Sequence, residues 1–421
     1  MQTPLPWPGP MVHVAFAIPY AMETTLRFAR ATLALPGVRL SVVSQDAPEK
    51  FPAEFREQLA GFRQVTDGLS PTELAEAVKS LARDAGPVER LLGVLEPLQE
   101  PLAIVREQLR IRGMDRATSR NFRDKATMKD LFAAHDIPCA RHKLCSTVDE
   151  ALAFAEQIGY PLVAKPPAGA GAKATARCAS SKELQDFLAT AHPGADRPVL
   201  LEEFIEGREF SFDSVTLHGQ HVFHNICCYL PTPLEVMENP WIQWCVVLPR
   251  SLSSPEFAAI HKTGPRALST LGMWTGMSHL EWFQRGNGTI AIGEVAARPP
   301  GAQFMTLMSY VCDTDMYRAF AQLMVFETFA PPGRRYSAGA AYLRGRVPKD
   351  RPQAVVRAVH GLDEMQQALG DLVVETRLPA IGATPSTSYE GDGFVVVRHP
   401  DAQVVTNAVQ KIVRTVRIEL A

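Results

Sequence analysis

The stretch that decides the fold begins Thr275-Gly-Met-Ser-His-Leu-Glu-Trp-Phe283 and, after a short turn, continues as Ile292-Gly-Glu-Val-Ala-Ala-Arg-Pro-Pro-Gly301. Apolar segments at residues 280–283 and 289–295 flank Arg285-Gly-Asn-Gly-Thr289, a turn rich in residues that tolerate positive φ, so the pattern predicts a β-hairpin. The hairpin would place Glu281 beside Glu294. Neighbouring carboxylates repel unless a cation or a shared proton holds them, and such oxygen ligands suit a Mg²⁺ ion that carries phosphates. Two ordinary salt bridges at the rim of a sheet are the alternative.

Composition is typical of an ordinary globular protein. The chain has 421 residues, 46% of them hydrophobic, which can bury a large core in about two to four domains. Its formal net charge of -2 leaves no electrostatic footprint for nucleic acid or for an anionic membrane, so neither is expected as a partner. The first residues lack the basic start and apolar run of a secretion signal, and no segment approaches the roughly 18 to 20 apolar residues of a membrane span. We therefore expect a cytoplasmic protein.

The cysteines agree with that location. They are odd in number and show no Cys-x-x-Cys pairing. Reduced, buried thiols are the expected state in the cytosol. The seven are Cys139, Cys145, Cys178, Cys227, Cys228, Cys245 and Cys312.

Residues 1–112 alternate predicted strands and helices. Strands are expected at residues 12–18, 40–44 and 91–95, with helices at residues 22–35, 52–61 and 72–85. This alternation predicts an open parallel α/β sheet. No Gly-x-Gly-x-x-Gly follows the first strand, which argues against dinucleotide binding there. Glu96 follows the third strand, where open sheets place ligand contacts, although a carboxylate that complements a helix dipole is an equal alternative.

A candidate phosphate site follows. Residues 121–132 predict one helix with Lys125 near its start, residues 148–158 a second helix, and residues 161–165 a strand that ends at Lys165. The next segment, Ala168-Gly-Ala-Gly-Ala-Lys-Ala-Thr175, has no bulky side chain before Lys173. Backbone N–H groups of such a loop can approach an anion closely, and Lys165 would add positive charge. The Walker ending is absent, and a plain flexible hairpin loop is the alternative.

The segment Val199-Leu-Leu-Glu-Glu-Phe-Ile-Glu-Gly-Arg-Glu-Phe-Ser-Phe-Asp213 predicts a strand, a turn at Gly207 and a second strand. Phe204 and Ile205 can sandwich a flat base while the extended backbone pairs with its edge, and Glu209 can accept two ribose hydroxyls. A solvated strand edge is the alternative interpretation of this Glu-rich segment.

Together these motifs resemble the ATP-grasp superfamily, and specifically its carboxylate–amine ligases, such as the dipeptide-forming L-amino-acid ligases. The resemblance covers about residues 10–335 and implies an α/β and α+β multidomain chain with the ATP-grasp fold. That fold has an N-terminal open parallel-sheet (preATP-grasp) domain, a mobile lid and a central antiparallel sheet that carries the metal site. Six motifs occur in the family's order: Arg123-Asp-Lys125, Val163-Ala-Lys165, the 168–175 loop, residues 201–209, His279-Leu-Glu281 and residues 294–301.

The resemblance implies a nucleotide-binding role for the first four motifs. Lys125 and Lys165 are similar to two phosphate-contacting lysines, and the loop with Gly169, Gly171 and Lys173 is similar to the flap over the β- and γ-phosphates. The hinge would meet adenine through the backbone of Glu203 and Ile205, with Phe204 between them, Glu202 as a polar neighbour of the base and Glu209 as the ribose carboxylate.

The last two motifs imply the metal and the reacting groups. Glu281 and Glu294 match the two glutamates that bridge Mg²⁺, for which Mn²⁺ is a substitute, and Arg298 matches an arginine that steadies the transferred phosphate or the acyl phosphate. His279 would contact phosphate or orient Glu281, and a satisfied structural histidine is an equal alternative. Many relatives have Asn where this chain has Ala296, which leaves the number of metal ions open.

The implied reaction is ATP-dependent amide formation. A carboxylate, from an amino acid or another small acid, becomes an acyl phosphate, and an amine displaces phosphate to give an amide or dipeptide. Catalytic candidates are Arg298, Lys165 and His279. Another ATP-grasp chemistry, such as a biotin-carboxylase-like carboxylation, is an alternative, as is a nucleotide-binding protein that no longer catalyses, which Ala296 would explain. The expected partners are small-molecule carboxylate and amine substrates, and a homodimer is expected from family likeness alone.

Residues 227–244 carry Tyr229, Met237, Trp241 and Trp244, which suit a hydrophobic group in an acceptor pocket, with core packing of an inserted hairpin as the alternative.

The predicted division of the chain into domains is 1–112 (preATP-grasp), 113–205 (linker helix and lid), 206–335 (central domain with the metal site) and 336–421 (small α+β domain).

Overall fold

Four parallel strands begin the fold. The computed structural model describes residues 11–168, 175–347, 351 and 353–421. The first strands are β1 (Val12–Ala17), β2 (Val38–Ser44), β3 (Gly61–Gln64) and β4 (Arg90–Leu92), and the helices between and after them are α1 (Glu23–Leu33), α2 (Ala53–Arg56), α3 (Pro71–Ala85) and α4 (Gln99–Leu109). The strands pair in the order β3-β2-β1-β4, all parallel, which confirms the predicted open α/β sheet.

One strand of this sheet corrects the predicted helix at residues 52–61. Helix α2 ends at Arg56, and the chain then pairs with β2 as strand β3. A Cβ at Gly61 would lie 2.8 Å from Leu81 on α3, so the glycine lets the strand approach that helix. The local pattern of a four-residue strand is weak, so the pairing with β2, which is a tertiary contact, decides the structure of this segment.

A second correction concerns the helix predicted at residues 121–132. The structure has two helices there, α5 (Arg116–Arg123) and α6 (Lys125–Ala134). Asp124 has an extended backbone, and its carboxylate accepts a hydrogen bond from the Thr127 N–H at 2.8 Å, so it caps the second helix. The break makes Lys125 the first residue of α6.

A small antiparallel sheet comes next, in the order β5-β8-β6-β7. Its strands are β5 (His142–Cys145), β6 (Leu162–Lys165), β7 (Ala176–Cys178) and β8 (Val199–Glu203), and its helices are α7 (Val148–Ile158) and α8 (Ser181–Ala191). Helix α7 has the predicted bounds, and it begins with a capping box between Thr147 and Glu150. The helices cover an apolar face that includes Phe154, Leu162 and Leu184.

The largest sheet has eight strands in the order β13-β12-β9-β10-β11-β14-β17-β16, all antiparallel. The strands from here to the C-terminus are β9 (Arg208–Leu217), β10 (Gln220–Leu230), β11 (Cys245–Leu248), β12 (Gly276–Gln284), β13 (Ile290–Ala296), β14 (Ser337–Leu343), β15 (Val356–His360), β16 (Val373–Arg377), β17 (Gly393–His399) and β18 (Arg417–Leu420). The helices are α9 (Pro233–Glu238), α10 (Ala258–Thr270), α11 (Phe304–Cys312), α12 (Met316–Phe326), α13 (Leu362–Leu369) and α14 (Ala402–Thr415). Residues 336–421 therefore contribute three strands to the central sheet, and the domain division remains a prediction.

The N-terminal sheet packs on the central one through aromatic contacts. Phe28 of α1 lies 4.8 Å from Tyr317 and 5.0 Å from Phe320 of α12, between ring centroids. One buried core continues from Phe16 of β1 to Val246 of β11. This packing brings Glu96, after β4, to the end of β13.

All seven cysteines are free, and five of them are buried. Within the described ranges, no helix is both long and apolar enough to cross a membrane.

Candidate functional site

The predicted hairpin of strands β12 and β13 is confirmed. Glu281 and Glu294 are direct partners in the antiparallel ladder, and a bulge follows Glu281. The turn closes through the Arg285 N–H bonded to Thr289 O at 2.8 Å, with Gly288 at a φ of 81°. The two carboxylates therefore lie side by side on one face of the central sheet.

The neighbouring strand β9 adds a buried acidic residue to that face. Asp213 pairs with His279 in the ladder, and its Oδ1 lies 2.6 Å from His279 Nδ1. Ser211 donates a hydrogen bond to the other carboxylate oxygen at 2.9 Å. His279 Nε2 is 3.6 Å from Glu281, so His279 bridges Asp213 and a predicted metal ligand.

The charge of His279 follows from these contacts. Burial by itself lowers the pKa of His279, but the Asp213 carboxylate outweighs it and raises the pKa to about 9. The imidazole is therefore a cation at neutral pH. The ring is hydrogen-bonded to Asp213 and also faces Glu281, so its proposed role toward Glu281 or phosphate stays a prediction.

Lysines face these carboxylates from the opposite wall. Lys125 Nζ lies 2.7 Å from Glu294, and Lys165, at the end of β6, lies 2.9 Å from Glu202. Lys129, which was not predicted, lies 3.5 Å from Glu202 and donates to Gly293 O at 2.9 Å. Because Lys129 follows Lys125 by one helical turn on the buried side of α6, that spacing was the signal in the sequence.

The buried carboxylates respond to these cations. Burial raises the pKa of Glu294, and the Lys125 and Lys165 ammonium groups outweigh it, so the net pKa is lowered. Burial also raises the pKa of Glu202, but the Lys129 and Lys165 ammonium groups outweigh it, so the net pKa of Glu202 is lowered. Glu209 behaves differently: burial and the nearby Glu281 raise its pKa well above the usual value. The site therefore holds ionised pairs at one end and a carboxyl that favours its proton beside them.

Arg298 joins the site to the N-terminal sheet. Its Nε donates to Glu96 Oε2 at 2.5 Å, and Arg123 lies 3.4 Å from the other oxygen of Glu96. Glu96 begins a short 3-10 turn just after β4, so the predicted ligand position and the helix-terminus position coincide. Although burial lowers the pKa of Arg298, the Glu96 carboxylate raises it above its usual value, so Arg298 stays charged.

One cavity of about 590 Å³ collects the predicted residues. Arg177, also unpredicted, lies 4.4 Å above the Phe204 ring as a cation–π pair at this cavity. Gly169, Gly171 and Lys173 of the predicted flap lie outside the described residues. The predicted residues that line the cavity are Lys125, Lys165, Glu202, Glu203, Phe204, Ile205, Glu209, His279, Glu281, Glu294 and Arg298.

The aromatic residues predicted for an acceptor pocket do not line this cavity. Tyr229 and Trp244 are core residues, and Trp241 is 60% exposed. Tyr229 on β10 and Trp244 just before β11 lie in the hairpin that β10 and β11 form around α9, so core packing, the alternative interpretation, is the one that describes them. The cavity wall there consists instead of α9 residues such as Leu234, together with Tyr389 from the C-terminal region.

Ala296 occupies the position at which many members of the ATP-grasp superfamily have Asn. Its side chain is buried, lines the cavity and pairs in the ladder with His279. Within the described part of the chain, no group of three or more His, Cys, Asp or Glu side chains could hold a metal ion by itself. A metal here would depend on Glu281, Glu294 and ligands that the protein does not supply.

The sequence is similar to proteins of this kind over parts of its length. A family model described as "Phosphoribosylglycinamide synthetase, ATP-grasp (A) domain" matches residues 123–228. The chain is 24% identical over 246 residues to an L-arginine-specific L-amino acid ligase of Bacillus subtilis, over 57% of this chain and 59% of that protein. It is 25% identical over 210 residues to an uncharacterized protein, y4rH, of Sinorhizobium fredii, over 48% of this chain and 42% of that one. The chain thus spans less than two thirds of either relative.

Solved structures match nearly the whole chain. An L-amino acid ligase from Bacillus licheniformis has a TM-score of 0.78 at 18% identity, over 98% of this chain and 99% of that one. An N5-carboxyaminoimidazole ribonucleotide synthetase from Thermotoga maritima has a TM-score of 0.66 at 15% identity, over 97% and 99%. The biotin carboxylase domain of Hydrogenobacter thermophilus 2-oxoglutarate carboxylase, solved with MgADP and bicarbonate, has a TM-score of 0.70 at 18% identity, over 98% and 91%. The ATP-grasp fold, and with it the resemblance to the ATP-grasp carboxylate–amine ligases, is confirmed.

Proposed function

We propose that the chain is an ATP-dependent carboxylate–amine ligase, which converts a carboxylate to an acyl phosphate and joins it to an amine with release of ADP and phosphate. The observation that carries this proposal is the arrangement of charge in the 590 Å³ cavity. Glu281 and Glu294 face lysines across it, and Arg298 lies beyond them. Phosphoryl transfer asks little covalent chemistry of a protein, so positioned charges of this kind supply most of the catalysis.

The nucleotide would lie between the small sheet and the central sheet. The backbone of Glu203 and Ile205 would meet the adenine edge, and Phe204, held under Arg177, forms part of the same wall. Glu209 would accept the ribose hydroxyls. Its raised pKa favours a neutral carboxyl, which avoids a third negative charge beside Glu281 and Glu294.

The lysines are held ready for phosphate by carboxylates. Lys125 pairs with Glu294, and Lys165 and Lys129 share Glu202. A buried ammonium group needs a counter-charge, and the phosphates of ATP would share or replace these partners. The pairs therefore keep the cations in the cavity before the nucleotide binds.

Glu281 and Glu294 fit a magnesium ion. Two adjacent carboxylates with no third protein ligand among the described residues leave several positions for water and phosphate oxygens, which Mg²⁺ prefers to a closed protein cage. When bound, the ion would offset the negative charge of the transferred phosphoryl group. Mn²⁺ has the same preference for oxygen ligands and would substitute.

Arg298 would bind the acyl phosphate through its guanidinium group. Glu96 holds its Nε and Pro299 O accepts from its Nη1 at 2.9 Å, so the guanidinium is fixed in direction and the Nη2 group is the one left to contact a substrate oxygen. Leu234 and Tyr389 would border the acceptor. The name of the Bacillus subtilis relative supports amino acids as substrates.

A phosphate-release screen over pairs of amino acids and small carboxylic acids tests the proposal. We expect ATP turnover that needs both a carboxylate and an amine, with an amide of the summed mass less water in the mass spectrum. Glu281→Gln should abolish this turnover, and Glu364→Gln, an exposed residue of α13, should not. Turnover that is unchanged in Glu281→Gln would show that the metal assignment is wrong.

A second candidate is a nucleotide-binding protein without catalysis, which Ala296 favours because it removes one metal ligand of the family pattern. In that case ATP would bind with Mg²⁺ in calorimetry, and no pair in the screen would release phosphate. A product that contains bicarbonate carbon would instead point to carboxylation.

A further inference from the structure

A second cavity lies on the other side of Arg298, away from the carboxylate pair. It encloses about 400 Å³ between the free edge of β4, the start of α5 and the start of β12. Its apolar floor consists of Met277, Phe320 and Met324. Trp274 lines it with 61% of its side chain exposed. Nothing in the proposed ligase reaction uses these residues.

One arginine in this cavity lacks a counter-ion. Arg106 of α4 is 7% exposed, and its Nε and Nη2 both donate to the carbonyl of Leu91, at 3.1 and 2.8 Å. Across the described chain it forms no ion pair, and its Nη1 has no hydrogen-bond partner. Burial alone lowers the pKa of Arg106, to about 10, because no carboxylate lies near enough to oppose it. The two bonds to Leu91 O hold one edge of the guanidinium against an edge strand and leave Nη1 without a protein partner among the described residues, where it can contact solvent or a ligand in the cavity.

The other arginines of the cavity have acidic partners, and Asp115, which also lines it, caps α5 through the Thr118 N–H. Glu327 lies 2.7 Å from Arg112 and 3.8 Å from Arg90, and His218 lies at 2.7 Å on its outer side. Arg298, which lines both cavities, is paired with Glu96. Arg106 is therefore the lining arginine without an ion pair among the described residues, and one negative charge with an apolar body would match both its guanidinium and the floor.

We infer that this cavity binds a small monocarboxylate with an apolar or aromatic body, through a charge-assisted hydrogen bond from Arg106 Nη1. A buried pairing of this kind is among the stronger polar contacts available to a protein. A phosphate dianion fits less well, because it would leave the floor of Met277, Phe320 and Met324 uncovered. The inference does not depend on the ligase reaction.

Titration of the full chain with phenylacetate tests it, with isothermal calorimetry and tryptophan emission as readouts. We expect saturable binding at one site and a change in emission, because the ligand would cover Trp274. Trp274→Phe should remove the emission change. Phenylacetamide, which has the same ring without the charge, should bind at least tenfold more weakly. Saturating ADP and Mg²⁺ should not displace phenylacetate, since they would occupy the first cavity.

Three variants locate the site. Met324→Trp would fill the floor and should abolish binding while Arg106 stays in place. Arg106→Lys keeps the charge but loses the fork, and should weaken binding about tenfold or more. Arg110→Lys, at the exposed end of the same helix and outside the cavity, should bind like the unchanged protein.

The inference is overturned if phenylacetate gives no saturable heat, if phenylacetamide binds as tightly, or if Met324→Trp and Arg106→Lys both bind normally. Displacement by ADP and Mg²⁺ would place the ligand in the first cavity and would overturn it as well. Inorganic phosphate that binds as tightly as phenylacetate, in an Arg106-dependent way, would show a simple anion site in place of the one inferred.

Discussion

The two faces of the central sheet, at strands β9, β10 and β12, shift the pKa values of half-buried histidines in opposite directions. On the cavity face, His279 sits against Asp213, and its pKa is raised to about 9. On the other face, His221 and His224 stack on Phe212 with ring centroids at 5.4 and 4.8 Å, and burial lowers their pKa values to about 4 and about 3. Burial lowers the pKa on both faces, so the nearby carboxylate decides the sign. The sheet thus keeps charge on the side of the proposed reaction and excludes it from the side that packs on α10.

The largest effect should come from breaking a charged pair in the cavity. Glu294→Gln removes a proposed metal ligand and the partner of Lys125. We expect turnover in the phosphate-release assay to fall by about 10²- to 10³-fold, as for the loss of one preorganised electrostatic contact. The control is Glu419→Gln on β18, far from the cavity in the two-stranded sheet. Equal losses in both variants would mean that Glu294 has no special role.

Asp213→Asn would leave His279 without the Asp213 carboxylate, as His221 and His224 are without one on the opposite face of the sheet. Without its carboxylate partner, His279 should lose its raised pKa, and the free energy of unfolding at pH 6 should drop by about 3 kcal/mol, as for a broken buried ion pair. Denaturation in urea with EDTA measures this.

The same pair predicts a pH dependence at neutral to alkaline pH. Because the folded pKa of His279 is about 9 and the ordinary value is 6.5, its stabilising contribution is complete below pH 6.5 and is lost as the pH rises to about 9. The unchanged protein should therefore lose this contribution to stability across that range, and Asp213→Asn should not show that component. A variant with the same slope as the unchanged protein would contradict the role of the pair.

Acid should expose the opposite behaviour on the other face. His221 and His224 have folded pKa values below the ordinary 6.5, so their neutral state stabilises the fold above pH 6.5 and destabilisation grows as the pH falls toward about 4. After discounting for partial exposure to solvent, we expect about 2 kcal/mol of lost stability from His224 over this range. His224→Phe keeps the ring against Phe212 and should be the more acid-stable protein in thermal melts. A variant that melts at the same temperature as the unchanged protein at pH 4.5 would show that protonation of His224 does not destabilise the fold.

The smallest effect should come from a pair that water can reach. Arg208, at the start of β9, lies 2.8 Å from Glu256, but its side chain is 63% exposed. Glu256→Gln should change the free energy of unfolding by less than about 0.5 kcal/mol, because solvent screens such pairs. A change as large as that of Asp213→Asn would show that burial is not what separates the cavity pairs from surface pairs.

Local patterns predicted the parts of the site that are close in sequence. The alternation around Glu281 and Glu294 and the turn residues between them specify the hairpin and its register, so the adjacent carboxylates followed from the residues alone. Lys165 was predicted because a strand ends at it. The parallel N-terminal sheet was predicted in the same way, apart from β3, whose four residues carry too weak a pattern.

The parts that were missed depend on contacts between distant segments. Asp213 lies two residues from Ser211 on one face of β9, and this alternation was visible, but only the pairing of β9 with β12 reveals that His279 is its partner. Tyr389 lines the cavity from the C-terminal region, and no spacing in the sequence predicts this position. For the aromatic residues of 227–244, both an acceptor pocket and core packing were open, because composition cannot distinguish a core face from a cavity face.

The eight-stranded sheet has a consequence for protein engineering. Since β14 pairs directly with β11, and β17 with β14, the segment that supplies Tyr389 is hydrogen-bonded into the same sheet as Glu281. A chimera that exchanges this C-terminal segment with a relative's would have to rebuild the β11–β14 ladder, including the close approach of Gly339 to Val246. Grafting a shorter piece between β16 and β17, where Tyr389 is located, would transplant the cavity wall and leave every strand pairing of the sheet intact.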